Sequence, residues 1–326
     1  MLIGCALCAS AAGQVPSAFL HHIQGKVYLD GKLVDDVRPG LKLDQFHTLA
    51  KGTVLGTELG LAEILMSPGL IVRVGERTEI MMATPDRGGA VLELKKGAIS
   101  IEAAEIKDGA LSVRHGGAVF TIRKPGTYWV GGEPAEARVY DGQAELVRGA
   151  AKRSLKRAQA LSMVVDAEPR KLDIATSNSL MRWSRQRGHY LGLASAAAAW
   201  SILYARAGWA ASGWFFNPYY GMYGFIPYRG HYCGWYGNCY YAPTSVHKAF
   251  TQPARASTGA VPPSGSHGIY GYDANNGYAT SSQRTYETYS SPATSPSAQV
   301  TATALPEARV GESAAPRGGE GGGRSQ

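Results

Sequence analysis

The sequence predicts a mainly β protein: a β domain over 26–165 that closes either as a solenoid of β-helix type or as a sandwich, then an amphipathic helix and a disordered tail. Three observations predict this. Short segments that alternate apolar and polar residues recur at 26–29, 62–66, 91–94, 98–101 and 118–122, and a period of two places alternate side chains on opposite faces of a strand. Glycine closes most of these segments, as at Gly31, Gly40, Gly69, Gly97, Gly109, Gly126 and Gly142, where a reversing chain needs a positive φ. After Val165 the alternation stops and the composition turns to Ala, Gly, Tyr, Ser and Pro.

In chain order, residues 1–13 read as the end of a secretory signal peptide. An apolar run leads into small residues suited to cleavage near Ala11 or Ala12. A basic n-region is missing, which suggests a start codon further upstream, and Leu2-Ile3-Gly4-Cys5 is a weak match to a lipoprotein box with Cys5 as the lipidated residue. In the β domain, Val27 and Leu29 are expected to face the core while Lys26 and Tyr28 face outward.

Residues 173–207 follow as the helix. Ser177 or Asn178 can cap its start, the alanine run favours it, and Gly208 offers a stop. Leu193, Ala197, Trp200 and Tyr204 share one helical spacing, and Trp183, Tyr190 and Ala194 another. The Gly/Tyr/Trp-rich stretch 208–250 lacks charge from Ala207 to Tyr228, yet Asn217, Pro218 and Pro227 would leave backbone groups unpaired in lipid, so a spanning helix is not expected. Residues 251–326 cannot bury enough apolar area to offset their conformational entropy and are expected to be disordered.

Chemistry is sparse. The net charge is +8, with a basic cluster at Arg148, Lys152, Arg153, Lys156 and Arg157. No nucleic-acid-binding pattern accompanies the cluster, which reads as a solvated strand edge. Cys233 and Cys239 suit a small disulfide loop if the chain is exported; a zinc site would need ligands beyond His231. His21 and His22 are expected to be exposed, and Glu102, Glu105 and Asp108 to be an ordinary solvated loop. No Walker loop, Rossmann fingerprint, nucleophile elbow or zincin motif occurs. Catalysis, cofactors and resident metals are therefore not expected. The aromatic residues Trp214, Phe215, Tyr219, Tyr220, Tyr223 and Trp235 are candidates for contact with a partner, since their flat faces and polar tips suit stacking on sugars or on another protein; the alternative is that they fill a loop packed on the helix.

Four segments in order carry a family likeness. The run 49–75 places Gly52-Thr53 before a strand, Ser67-Pro68-Gly69 at a turn, and Ile71-Val72-Arg73-Val74 in a second strand. Lys96-Gly97-Ala98 within 94–101, Pro125-Gly126-Thr127-Tyr128 within 120–130, and Tyr140-Asp141-Gly142-Gln143 within 138–147 continue it. Together they resemble the FecR domain. The resemblance implies a β-helix-like extracytoplasmic domain that binds partner proteins. In iron-uptake signalling, such proteins contact an outer-membrane transporter and control a sigma factor through a cytoplasmic segment, which here would have to be encoded upstream together with a membrane helix. The helix and Tyr-rich continuation look like those of stand-alone exported FecR-domain proteins from soil bacteria. The expectation is thus a non-enzymatic exported protein acting as a protein-interaction or sensory module in the cell envelope. The alternatives are an envelope structural or glycan-binding protein that uses the aromatic segment, and a sigma-factor regulator.

Overall fold

The computed structural model describes residues 18–84, 89–107, 109–175 and 177–247; the expected leader (1–13) and tail (251–326) lie outside them. Alternation translates into strands β1 (Phe19–Leu29), β2 (Lys32–Val34), β3 (Val54–Leu65), β4 (Leu70–Val74), β5 (Glu79–Thr84), β6 (Ala90–Lys96), β7 (Ala98–Ala103), β8 (Leu111–His115), β9 (Ala118–Ile122), β10 (Gly126–Gly131), β11 (Glu136–Asp141), β12 (Gln143–Arg148), β13 (Ala151–Lys156), β14 (Gln159–Ser162) and β15 (Arg170–Lys171). The sheet starts at Phe19, before the expected start of the β domain at residue 26. Register shifts in the β1–β3 pairing, between Leu20 and His22 and between Gly25 and Val27, break the two-residue period there and hide the strand.

All fifteen strands belong to one sheet, ordered β13-β12-β9-β8-β6-β5-β3-β4-β7-β10-β11-β14-β15, with β1 paired to β3 and β2 paired to β1. The long strand β3 is the fold line. Its first residues pair with β5 (Val54↔Met81), its last with β4 (Ala62↔Val74), and so it divides the sheet into two wings. The wings close on one core, to which the first contributes Ile80, Leu92, Val113 and Phe120 and the second Val72, Ile101, Val130 and Val139. Of the two closures left open by the sequence, this is the sandwich: among the described strands only β6 and β8 pair in parallel, whereas a β-helix stacks its coils in parallel.

The chain crosses from wing to wing at β4–β5, β6–β7, β7–β8, β9–β10, β11–β12 and β13–β14. Gly97, at the β6–β7 crossing, has φ +84°, and a Cβ there would lie 2.2 Å from the Thr78 hydroxyl oxygen. Gly142, at the β11–β12 crossing, has φ +93° and would meet the Tyr128 hydroxyl at 2.2 Å. A side chain is excluded at both sites by conformation and by space. The buried Tyr128 hydroxyl ties two crossings together, donating to the Lys124 carbonyl and accepting from Gln143 N–H at 3.1 Å.

Helix α1 (Ser179–Tyr204) begins where the Asn178 side chain accepts from the Met181 N–H at 2.9 Å. Leu180, Ser184, Arg187, Leu191, Ser195 and Ala198 are buried, spaced three or four apart. This corrects one expected stripe, because Leu193, Ala197 and Trp200 are only half-buried and Tyr204 is exposed. Of the other, Trp183 and Ala194 are buried and Tyr190 is exposed. The inward face mixes Leu180, Met181, Trp183 and Leu191 with small and polar residues. Gly188 and Gly192 allow close approach, since a Cβ would stand 3.1 Å from Asn238 Oδ1 and 3.2 Å from the Cys239 carbonyl, respectively.

The Gly/Tyr/Trp-rich segment forms two hairpins, β16 (Gly213–Asn217) with β17 (Met222–Ile226), and β18 (His231–Cys233) with β19 (Cys239–Tyr241). Trp214, Tyr223 and Phe225 pack with Phe19, Leu65 and Ile71 on the outer face of the second wing. Helix and hairpins therefore make a third layer over that wing. Among the described residues no helix is long and apolar enough to cross a membrane.

Candidate functional site

Because Ile64, Val72 and Ile101 point into the core between the wings, the strand period sends their neighbours Glu63, Arg73 and Glu102 to the opposite face, beneath the third layer. Register sets Glu63 directly across from Arg73. The Arg73 guanidinium donates to Glu63 through Nε at 2.9 Å and to Glu102 through Nη1 at 2.8 Å, and all three side chains are fully buried. Arg187 of α1 donates to Glu63 at 2.8 Å. Asn238 and Tyr240 of the second hairpin donate to Glu102, the phenol at 3.0 Å. Tyr236 meets the Ser100 hydroxyl at 2.6 Å.

His21 completes the cluster. Its Nε2 accepts from the Tyr223 N–H at 3.3 Å, which places the proton on Nδ1, 3.0 Å from a Glu63 oxygen to which it donates. Burial lowers the His21 pKa below its ordinary value. His22, whose ring stacks on Trp183, is pushed down to about 4 by burial and by the nearby Arg187. Burial alone would raise the Glu63 pKa, but Arg187, Arg73 and His21 together hold it well below the carboxylate range. Burial likewise opposes the charge on Arg73, and the carboxylates of Glu102 and Glu63 outweigh it, raising its pKa.

Both histidines are corrected from the expected exposure, His21 being buried and His22 half-buried. Glu102 is also corrected: it is a fully buried strand residue rather than part of a solvated loop, while Glu105 is exposed and accepts from the Tyr228 N–H at 3.2 Å. Asp108 lies outside the described residues. The cluster's one legible signal is a single charge between apolar neighbours, as in Ala62-Glu63-Ile64, Val72-Arg73-Val74 and Ile101-Glu102-Ala103. In a strand covered on both faces, such a charge points at a covering layer. With every carboxylate engaged by guanidinium, amide, phenol or imidazole donors, the arrangement fastens the third layer to the sheet.

Cys233 and Cys239 are joined, with an S–S distance of 2.08 Å, across a turn in which Gly234 N–H donates to the Asn238 carbonyl at 2.8 Å. The six aromatic candidates do not form one surface. Trp214 is buried and donates to the Met66 carbonyl at 2.9 Å, and Tyr223 is buried beside it. Phe215 is half-buried with its ring 4.8 Å from that of Trp209, and Trp235 is half-buried with its ring 4.8 Å from that of Tyr140. Tyr219, at the tip of the β16–β17 hairpin, is 87% exposed, and its ring lies 5.0 Å from that of the half-buried Tyr220.

The basic cluster lies largely on β13 and its flanks and is dressed by carboxylates: Lys152 with Glu145 at 2.9 Å, Arg153 with Glu168 at 3.2 Å, and Arg157 with Asp141 at 4.0 Å. An open groove of about 700 Å³, lined by Thr57, Glu58, Leu59, Arg77, Lys96 and Glu133 among others, lies where β5 and β4 part from β3.

No protein-family model matches the chain, and no curated protein matches it either. Similar solved structures include two from Parabacteroides distasonis ATCC 8503, each described as a "putative anti-sigma factor". The first is 12% identical with a TM-score of 0.31, covering 41% of this chain and 64% of the other; the second is 14% identical with a TM-score of 0.27, covering 39% and 64%. The chain thus spans less than two thirds of those proteins, and scores this low carry neither fold nor function across.

Proposed function

We propose that this is a non-enzymatic, exported protein of FecR type whose folded β domain serves as a protein-interaction or sensory module in the cell envelope. One observation carries the reading. The four FecR-like segments fall on the β3–β4 hairpin at the fold line and on the β6–β7, β9–β10 and β11–β12 crossings, the places that shape the sandwich. They act as parts of one architecture, a sandwich where the resemblance implied a β-helix-like domain. The Cys233–Cys239 pairing supports export, since disulfides form and persist in oxidising compartments. A second reading, glycan binding, is favoured by the exposed Tyr219 ring, although Trp214 and Tyr223 are committed to packing.

Affinity capture of the tagged full chain from cross-linked envelopes tests both. The expected result is enrichment of a specific envelope protein, lost when the fold-line turn is disrupted by Gly69→Val. Capture of no specific protein would overturn the main reading. Sedimentation of the same preparation with peptidoglycan, abolished by Tyr219→Ala, would favour the second.

A further inference from the structure

The last buried residue of α1 is Ala199, and from Trp200 to Gly213 no residue is buried. The final turn of the helix and the loop after it lie at the rim of the third layer, with Trp200, Ile202 and Trp209 packed against its buried cluster and Leu203 and Tyr204 facing outward. This projection is apolar: Tyr204 is 70% exposed and Leu203 37% exposed, with Trp200, Ile202 and Trp209 half-buried around them. It is also held in shape. The Trp200 and Tyr204 rings meet at 5.0 Å, and the Trp209 indole N–H donates to the Pro227 and Tyr228 carbonyls, each at 3.1 Å. Arg206 is its one charged residue and is exposed.

Charge separates the third layer from the other two. Between Asp173 and His247 the chain has no aspartate or glutamate, while it has Arg182, Arg185, Arg187, Arg206 and Arg229. Arg187 is engaged by Glu63 inside the molecule; Arg182, Arg206 and Arg229 are exposed. Of the carboxylates that the β domain sets against this layer, Glu63 and Glu102 are buried and paired, and Glu105, which accepts from the Tyr228 N–H, is exposed.

We infer that the 200–209 projection docks on an anionic lipid surface, with Leu203 and Tyr204 entering the headgroup boundary, Trp200 and Trp209 backing them at the rim of the third layer, and Arg206 and Arg229 facing lipid phosphates. Three arguments select this occupant. Trp and Tyr with flanking arginine is the composition that settles at a membrane–water interface. The positive, acid-free layer complements negative headgroups. One helical turn and a loop are too small for a stable protein interface, which needs roughly 1,000 Å² or more, whereas a few apolar side chains with cations suffice for reversible interfacial binding. This contact is additional to any protein partner of the β domain.

Co-sedimentation of the full chain with phosphatidylcholine vesicles, with and without phosphatidylglycerol and at low and high salt, is the test. Binding is expected to the anionic vesicles only, weakening as salt rises. Leu203→Ser combined with Tyr204→Ser is expected to weaken it about tenfold with an unchanged melting temperature, and Arg206→Glu to weaken it as well. Absence of binding, or equal binding by the double variant, would overturn the inference. So would a dimer in sedimentation velocity that the double variant dissolves without any vesicle binding, because the projection would then serve a second copy of the chain.

Discussion

Arg73 holds more of the interior together than any other single side chain in the cluster. It bridges Glu63 and Glu102, with the Tyr236 ring 5.9 Å from its guanidinium carbon. Arg187 and His21 also serve Glu63, and Asn238 and Tyr240 serve Glu102, but only Arg73 serves both. Two carboxylates sealed from water tolerate each other only with this cation between them. Arg73→Met is therefore expected to destabilise the protein by about 3–5 kcal/mol, the usual cost of breaking a buried ion pair from one side. Urea unfolding followed by tryptophan fluorescence measures it, and a loss below about 1 kcal/mol would mean that the cluster is wetter than its burial implies.

At the scale of elements, the β18–β19 hairpin has two strands of three residues each, too short for independent stability. Two devices hold it: the Cys233–Cys239 bond, and the anchors Tyr236, Asn238 and Tyr240 that reach the sheet. Cutting the covalent link releases a small loop, so Cys233→Ser with Cys239→Ser is expected to cost about 2 kcal/mol by the loop-entropy relation. Melting in the presence and absence of reductant checks this. The oxidised protein should melt higher than the reduced one, and the double variant should ignore reductant; equal melting of oxidised and reduced wild type would show that the anchors alone suffice.

For the molecule as a whole, the junction of sheet and third layer sets the response to pH. The folded pKa values of His21 and His22 lie below the ordinary 6.5, that of His22 at about 4, and that of Glu63 lies well below 4.5. All three shifts are downward, so on acidification the unfolded chain takes up protons first. Stability should be complete above about pH 6.5, fall toward pH 4 as the histidines titrate, and fall further below the carboxylate range as Glu63 loses its charge. Urea midpoints measured from neutral pH to pH 4 should follow that curve, and His22→Gln should flatten its upper part. A profile level down to pH 4.5 would show that the histidines are not buried under the third layer.

What the sequence alone determined is local. Two-residue alternation predicted strands, Ser177 or Asn178 was legible as a cap, the role Asn178 takes, and Gly97 and Gly142 were legible as turns. Each depends on residues a few positions apart and on backbone preferences that hold in any fold. What only the tertiary structure decided is what lies against each face. His21 and Glu102 were expected in water, yet they are buried because Tyr223, Arg187, Asn238 and Tyr240 arrive from far along the chain to cover and pair them. The inward face of α1 was read only in part: Trp183 and Ala194 are buried as their spacing suggested, but Gly188, Gly192 and Arg187 also face inward because the hairpins demand close approach and Glu63 demands a cation. A side chain's pattern reports its own solubility, and burial is settled by the surface that packs over it.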